Sequence, residues 1–419
     1  MNILQDLEWR GLIKQTTDRE ELEKQLAEGR VTLYCGFDPT ADSLHIGSLL
    51  PILCLRRFQK AGHRPIALVG GGTGLIGDPS GKANERTLNS PDVVAGWTES
   101  LRRQLSRFLD FGGEPGAALM ANNYDWLSKL DVIGFLRDIG KNFTVNYMLA
   151  KDSVDSRIER GISFTEFSYM ILQAYDFLQL NELHDCTLQV GGSDQWGNIT
   201  AGLELIGKTT QKRAFGLTLP LVTKSDGQKF GKSESGAIWL DAAKTSPYQF
   251  YQFWVNTDDN DVIRFLKYFT FLQPDEIERL EAELQAAPEK REAQRVLARE
   301  VTELVHGREA LDSAINITKA LFDGNVKELT AAELEEAFQD APAKTLPDEP
   351  IGLVDLVLQA GAASSKREAR EHVEKGAVSV NGDKVTALEA TLTAEDRIGG
   401  KYVVLRRGKK NYYLIRFKS

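Results

Sequence analysis

Residues 34–55 read YCGFDPTADSLHIGSLLPILCL. The apolar run from Val31 to Cys35 predicts a buried strand, and Gly36-Phe37-Asp38-Pro39-Thr40 is a turn by composition. His45-Ile46-Gly47-Ser48 follows, and apolar residues at helical spacing continue to Arg57. A strand, a polar turn, small residues and a helix start are how a parallel sheet offers a helix N-terminus to a phosphate. His45 then sits where the helix dipole is positive, and Gly47 lets a flat ligand approach the backbone. A surface loop ahead of an amphipathic helix reads the same letters equally well. Pro51 is compatible with a helix that begins near Gly47 to Leu50.

Downstream, the strand-then-glycine pattern recurs. Pro65 to Val69 runs into Gly70-Gly71-Gly72-Thr73-Gly74 and then Gly77-Asp78-Pro79. Thr187 to Val190 runs into Gly191-Gly192-Ser193-Asp194-Gln195-Trp196-Gly197-Asn198, and Leu217 to Val222 is one more strand. Repetition of this unit predicts an α/β fold with a doubly wound parallel sheet and a crevice at the carboxyl ends of its strands. The spacing is not that of a dinucleotide GxGxxG fingerprint, and Asp194 suits ribose hydroxyls. Residues 97–150 read as a helical insertion between the two halves of the sheet. Its aromatics and Met, around residues 122–126 and 143–148, fit either a homodimer interface or ordinary core. In the helix predicted from Phe164 to Leu180, Tyr169, Gln173 and Asp176 share one face. Their apolar neighbours place that stripe on a pocket. Two loops carry cations, Lys82 with Arg86 in SGKANERT and Lys229 with Lys232 in KFGKS; lysines there grip phosphates as point charges.

The remainder is helical from Pro247 to about Asp323, then rich in proline and acid around residues 340–350, which reads as a linker. The net charge of −9 is unevenly spread: residues 351–419 carry +5 and the rest −14. That tail combines a helix bearing Lys366, Arg367 and Arg370, an Asn-Gly hairpin at residues 377–385, and the run Arg406-Arg407-Gly408-Lys409-Lys410. A basic helix beside a basic hairpin fits an RNA backbone. Cys35, Cys54 and Cys186 have neither disulfide nor metal-ligand spacing, so no protein-bound metal is expected. The acidic N-terminus lacks a secretory core and no apolar run is long enough to span a membrane, so the expected compartment is cytoplasmic.

In order, YCGFDPTADSLHIGS, GDPSGK, FTEFSYMILQAYD, QVGGSDQWGN and KFGKS resemble the bacterial tyrosyl-tRNA synthetases, class I aminoacyl-tRNA synthetases, over the whole length. The tail is similar to the small RNA-binding module named after ribosomal protein S-four. The resemblance implies a Rossmann-like catalytic domain at residues 1–222 and a KFGKS loop with an all-helical anticodon-binding domain at 223–325. A linker at 326–350 and a small α+β RNA-binding module at 351–419 complete it.

The activity implied is formation of tyrosyl-adenylate from L-tyrosine and ATP, with Mg²⁺ on the phosphates, then transfer to the terminal ribose of tRNA(Tyr). Tyr34 and Asp176 match the pair that meets the substrate phenol. Asp78, Tyr169 and Gln173 match the group on the α-ammonium. Cys35, Gly192 and Asp194 match ribose contacts, and Asp38 and Gln195 lie beside the reacting carboxylate and α-phosphate. Thr40 and His45 match γ-phosphate contacts, with Gly47 beside them on the nucleotide side. Lys82, Arg86, Lys229 and Lys232 match mobile loops that close on the leaving pyrophosphate, as transition-state binders. Tail residues Lys366, Arg367, Arg370, Arg406, Arg407, Lys409 and Lys410 match RNA contacts.

Both of the family's common signatures are varied here: Ser48 stands where a second histidine is usual, and Phe230-Gly231 stand inside the second signature. The rival within the class is a tryptophanyl enzyme, against which Tyr34 and Asp176 speak because an indole has no phenol. An RNA-binding protein on the same fold without catalysis has no use for His45, Asp194, Lys229 and Lys232, and a generic nucleotidyltransferase has none for the basic tail.

Overall fold

A computed structural model describes the chain except for residues 82–83, 114, 226, 228–229, 234–235, 409–410 and 419; of residues 232–233 it describes the backbone. The chain forms two compact units, residues 1–245 with 254–301 and residues 246–253 with 302–419.

The first unit is built on a six-stranded sheet: β1 (Gln15–Thr16), β2 (Thr32–Phe37), β3 (Arg64–Val69), β4 (Leu119–Asn122), β5 (Cys186–Gly192) and β6 (Phe215–Leu219), in the order β1-β6-β5-β2-β3-β4. All neighbours are parallel except β1, which runs antiparallel to β6. From β2 the chain steps outward through β3 to β4, then returns to the other side of β2 with β5. The order therefore reverses between β2 and β5, where adjacent crossovers diverge and leave a crevice at the carboxyl ends. Tyr34 pairs with Ile66 on one side and Gln189 on the other, so it lies on the central strand at that reversal. Both faces of β2 and β3 are covered, which explains their near-continuous apolar letters.

Two helices carry the site. Helix Ile46–Lys60 starts directly after His45, one residue ahead of the expected window, so Pro51 lies inside it. Pro51 has no N–H for the carbonyl of Gly47 four residues back. Helix Phe164–His184 is capped by Ser163, whose Oγ accepts from the Glu166 N–H at 3.2 Å.

The stretch read as an insertion is only partly one. Residues 119–122 are strand β4 of the main sheet, because Ile66 to Val69 of β3 pair with them. The short helices of residues 124–158 follow it, and there Val132, Ile133, Leu136 and Val145 are exposed.

In the second unit a five-stranded sheet runs Asp383–Lys384, Val378–Val380, Tyr402–Arg407, Asn411–Phe417, Ala343–Leu346. Helices Leu353–Gln359 and Lys366–Glu374 cover one face through Leu353, Leu356, Val357, Ala369 and Val373. Ile317, Ala320, Leu334 and Phe338 cover the other, against Tyr402, Val404 and Leu414. The Asn-Gly hairpin is present, with Asn381 and Gly382 both at positive φ.

The expected linker at 326–350 is instead folded. It contributes helix Ala331–Ala337 and strand Ala343–Leu346, which pairs in parallel with Asn411–Phe417. Leu334, Phe338 and Leu346 anchor it in the two cores, and Glu335 accepts from Arg416 Nε at 2.7 Å. The proline and acid letters mark the turns on either side of Ala343–Leu346. Among the described residues no helix is long and apolar enough to cross a membrane.

Candidate active site

The carboxyl ends of β2 and β5 and one face of helix Phe164–His184 enclose a cavity of about 190 Å³. An apolar cavity of about 150 Å³ already holds a benzene ring, so an aromatic side chain fits here. Tyr34, Cys35, Asp38, Asp78, Arg86, Tyr169, Gln173, Asp176, Gly192, Asp194 and Gln195 all line it, together with Pro51.

At the inner end stand Tyr34 and Asp176, 1 % and 2 % exposed. The Tyr34 hydroxyl has no hydrogen-bond partner among the described residues. Burial, and then the nearby Asp176 carboxylate, hold its pKa well above the usual phenol value. Asp176 accepts from Asn123 Nδ2 at 2.9 Å and from Trp126 Nε1 at 2.8 Å. Burial still dominates and pushes the Asp176 carboxyl up to about 8, against the lowering effect of those two donors. An unpaired hydroxyl beside a carboxylic group in a dry pocket is a costly arrangement that a ligand hydroxyl relieves.

Toward the mouth, Asp38 accepts from Tyr169 Oη and from Thr73 Oγ1, each at 2.7 Å. Burial raises Asp38 to about 6, opposed by those hydrogen bonds and raised further by Asp78. Gly70 has to be glycine here, since a Cβ would stand 1.9 Å from Asp38 Oδ1. Asp78 accepts from Gln195 Nε2 at 2.8 Å, and Asn198 Nδ2 donates to Gln173 at 3.2 Å and to Gln195 at 3.1 Å. Two carboxylates, Asp38 and Asp78, thus face one polar chamber with amide and phenol dipoles around it. That is a cation site in charge and in hydrogen-bonding capacity.

The adjoining hollow is lined by Asp38, Thr40, Asp78, Arg86 and Trp97. Arg86 Nε donates to the Asp78 carbonyl at 3.0 Å. His45 caps the helix it precedes: its Nδ1 accepts from the Gly47 N–H at 3.0 Å. A neutral His45 that accepts at Nδ1 carries its proton on Nε2, a donor for an anionic oxygen. Gly47 is required by that cap, because a Cβ would lie 2.7 Å from the imidazole Cε1.

The second signature meets the first. Gly231, at φ +80, packs on Ile46, where a Cβ would come within 2.5 Å of Cγ2. The Ile46 N–H donates to Ile238 O and Leu240 N–H to Leu44 O, both at 2.9 Å. Phe230 is buttressed by Trp254, Phe265 and Phe269, with ring centroids 5.9, 5.1 and 5.3 Å away. Lys82 and Lys229 lie outside the described residues, as does the side chain of Lys232.

Of the tail residues, Lys366, Arg367 and Arg370 are exposed, and Lys366 pairs with Asp355 at 2.7 Å. Arg407 donates to the Ala362 carbonyl at 2.7 Å, so part of its charge serves the fold. Arg406 lies beside the Tyr412 ring, and Lys409 and Lys410 are outside the described residues. Among the described residues no three His, Cys, Asp or Glu side chains converge to hold a metal.

Sequence reasoning missed the supporting layer: Thr73 on Asp38, Asn123 and Trp126 on Asp176, Asn198 on Gln173 and Gln195, and Gln189 in the pocket wall. The Asn123 to Trp126 segment drew notice only as aromatic. Sequence offered no signal for its position, because the strand it follows, Leu119–Asn122, is four half-buried residues without alternation. Gln189 Oε1 is buried without a partner among the described residues.

Residues 26–323 match the family model described as tRNA synthetases class I (W and Y), and residues 333–415 match that of the tyrosine–tRNA ligase SYY-like C-terminal domain. The chain is 65 % identical over 418 residues to the tyrosine–tRNA ligase of Bacillus caldotenax, and 62 % identical over 420 residues to tyrosine–tRNA ligase 1 of Bacillus subtilis (strain 168). Both pairs are covered over 100 % of each chain. Among solved structures, a C-terminally truncated Aspergillus nidulans mitochondrial tyrosyl-tRNA synthetase superposes with a TM-score of 0.69 at 35 % identity, over 77 % of this chain and 94 % of that one. The chain belongs to the tyrosine–tRNA ligase family of class I aminoacyl-tRNA synthetases.

Proposed function

We propose that the pocket binds L-tyrosine with its phenol against Tyr34 and Asp176 and its α-ammonium among Asp78, Tyr169 and Gln173. The carboxylate then lies beside Gln195, toward the nucleotide side, with Asp38 facing the ammonium. A tyrosine–tRNA ligase joins this carboxylate to the α-phosphorus of ATP: the new O–P bond forms as the bond to pyrophosphate breaks. A terminal ribose hydroxyl of tRNA(Tyr) then attacks the activated carbonyl, and AMP leaves. Neither step needs a protein nucleophile, so positioning and charge carry the catalysis. Mg²⁺ enters with the ATP phosphates as part of the substrate.

The same reading extends to the nucleotide. Cys35, Gly192 and Asp194 are at hand for the ribose, and Thr40, His45 and Gly47 for the γ-phosphate at a helix N-terminus. Arg86, Lys82, Lys229 and Lys232 are assigned to the leaving pyrophosphate. Ser48 keeps a hydroxyl where the family usually has a second imidazole. The C-terminal module, with Lys366, Arg367, Arg370, Arg406, Arg407, Lys409 and Lys410, is assigned to tRNA(Tyr), and the helices of residues 223–325 to the anticodon. The exposed Val132, Ile133, Leu136 and Val145 support a homodimer through that surface, and three free buried cysteines accord with a cytoplasmic protein.

The observation that carries the reading is the buried Tyr34 hydroxyl, without a partner among the described residues, beside Asp176 at the closed end of the cavity. Its test is amino-acid-dependent exchange of pyrophosphate into ATP with tyrosine, phenylalanine and tryptophan. Leaving the Tyr34 hydroxyl unmet costs about 1–3 kcal/mol, and losing the ligand's hydrogen bond to Asp176 costs about as much again. Phenylalanine is therefore expected to lose about 30- to 10⁴-fold in kcat/KM. Exchange with tryptophan alone, or equal exchange with phenylalanine, would overturn the assignment.

A further inference from the structure

Glu166 and Arg157 are 1 % and 3 % exposed, and no step above uses them. Their side chains form an ion pair, Arg157 Nη2 to Glu166 Oε2, at 2.8 Å. The other oxygen, Glu166 Oε1, accepts from the backbone N–H of Arg86 at 3.0 Å. Arg86 in turn donates from Nε to the Asp78 carbonyl, and its stem lies on Gly77, where a Cβ would stand 3.1 Å from Arg86 Cβ.

Glu166 belongs to the first turn of helix Phe164–His184. That helix also carries Tyr169, Gln173 and Asp176, the wall of the tyrosine pocket. One carboxylate therefore ties the phosphate-side loop to the element that fixes the amino acid. Stability alone gives little reason for it, since a buried ion pair is often replaceable by apolar residues at no loss. What apolar residues lack is an acceptor for the Arg86 amide.

We propose that Glu166, locked by Arg157, is a positioning residue for adenylate formation: it sets the backbone from which Arg86 reaches the departing pyrophosphate. The proposal rests on the assignment of Arg86 to that leaving group. A guanidinium misplaced by one ångström loses contact that exists only in the transition state, while the bound amino acid is untouched.

The test uses the full-length protein, with single-turnover adenylate formation and tyrosine affinity measured separately. Glu166→Ala is expected to slow adenylate formation by about 10- to 100-fold, the worth of a charge-assisted hydrogen bond, and to leave tyrosine affinity unchanged. Glu166→Gln combined with Arg157→Met keeps an oxygen for the Arg86 amide without setting the Gln NH2 against the guanidinium, and is expected to recover most of the rate. The double variant Glu166→Ala/Arg86→Ala is expected to be no slower than Arg86→Ala, because both remove one function.

Wild-type rates for Glu166→Ala, a Glu166→Gln/Arg157→Met variant as slow as the Ala variant, or multiplicative losses in Glu166→Ala/Arg86→Ala would overturn the proposal. Should Glu166→Ala fail to fold, Arg157→Lys decides: it keeps the cation but is one atom shorter, so the single Nη2–Oε2 contact is loosened, and slow chemistry with normal tyrosine affinity is expected. Wild-type chemistry in that variant overturns the proposal. A wild-type rate for Arg86→Ala overturns the assignment of Arg86 and the proposal with it. A slow Arg86→Ala beside a fast Glu166→Ala overturns the proposal alone.

Discussion

Removing one oxygen, in Tyr34→Phe, has two consequences of opposite sign. In the free protein the Tyr34 hydroxyl is buried and has no partner among the described residues, so its desolvation is uncompensated. Deleting it is expected to stabilise the free enzyme by about 1–3 kcal/mol, the usual cost of such a group. The ring contact with Phe177, at 5.2 Å between centroids, survives the change. With tyrosine bound the hydroxyl is paired, and its loss removes a net neutral hydrogen bond of about 0.5–1.5 kcal/mol. Both effects oppose binding and add, so tyrosine is expected to bind about 10- to 10³-fold more weakly, and discrimination against phenylalanine to fall, since phenylalanine never met that hydroxyl. Denaturant unfolding of the free protein, tyrosine titration and pyrophosphate exchange with both amino acids measure the three effects. A Tyr34→Phe protein that is less stable than wild type, with unchanged tyrosine affinity and selectivity, would refute the reasoning.

Three further outcomes are expected. In the free protein Asp176 has its carboxyl raised to about 8 from an ordinary 3.8, so the folded state holds a proton that the unfolded chain has lost. Its contribution to stability is present below pH 4 and is lost as pH rises to about 8; Asp176→Asn should therefore gain on wild type across that window and then level off, and a constant difference from pH 4 to 8 speaks against the buried neutral acid. Gly231→Ala places a Cβ within 2.5 Å of Ile46 at a positive φ, and should slow single-turnover adenylate formation with tyrosine affinity intact; normal chemistry in that variant would separate the two signatures. Lys232→Ala should likewise lower the adenylate-forming rate with little change in tyrosine affinity, and a large loss of tyrosine binding with normal single-turnover chemistry would contradict its assignment to the leaving group.

Much of the fold was legible because glycine loops punctuate it. Strands β2, β3 and β5 are short apolar runs ended by glycines, and each lies within two residues of its expected place. The crevice at their ends is a consequence of topology, so residues written just after those strands converge in space. That is why Tyr34, Asp38, Asp78, Gly192, Asp194 and Gln195 share one cavity although they span 162 positions. Tyr169, Gln173 and Asp176 were legible for a different reason, the helical period.

Strand β4 was hidden because Leu119–Asn122 is four residues long and half-buried, with no alternation to mark it. Asn123, Trp126 and Thr73 were hidden because they act on other side chains. Their letters suit a turn or an interface until Asp176 and Asp38 are seen against them. The linker reading failed because proline and acid mark turns, while the helical signal of the segment is a single i, i+4 pair, Leu334 and Phe338, and Leu346 lies alone on a four-residue strand.

The most direct measurement is a crystal structure of the protein with L-tyrosine bound. The account predicts the phenolic oxygen within about 2.6–3.2 Å of both Tyr34 Oη and an Asp176 carboxyl oxygen, with the ammonium among Asp78, Tyr169 and Gln173. A phenol turned toward Asp38 and Asp78, or a tyrosine held outside this cavity, would contradict it.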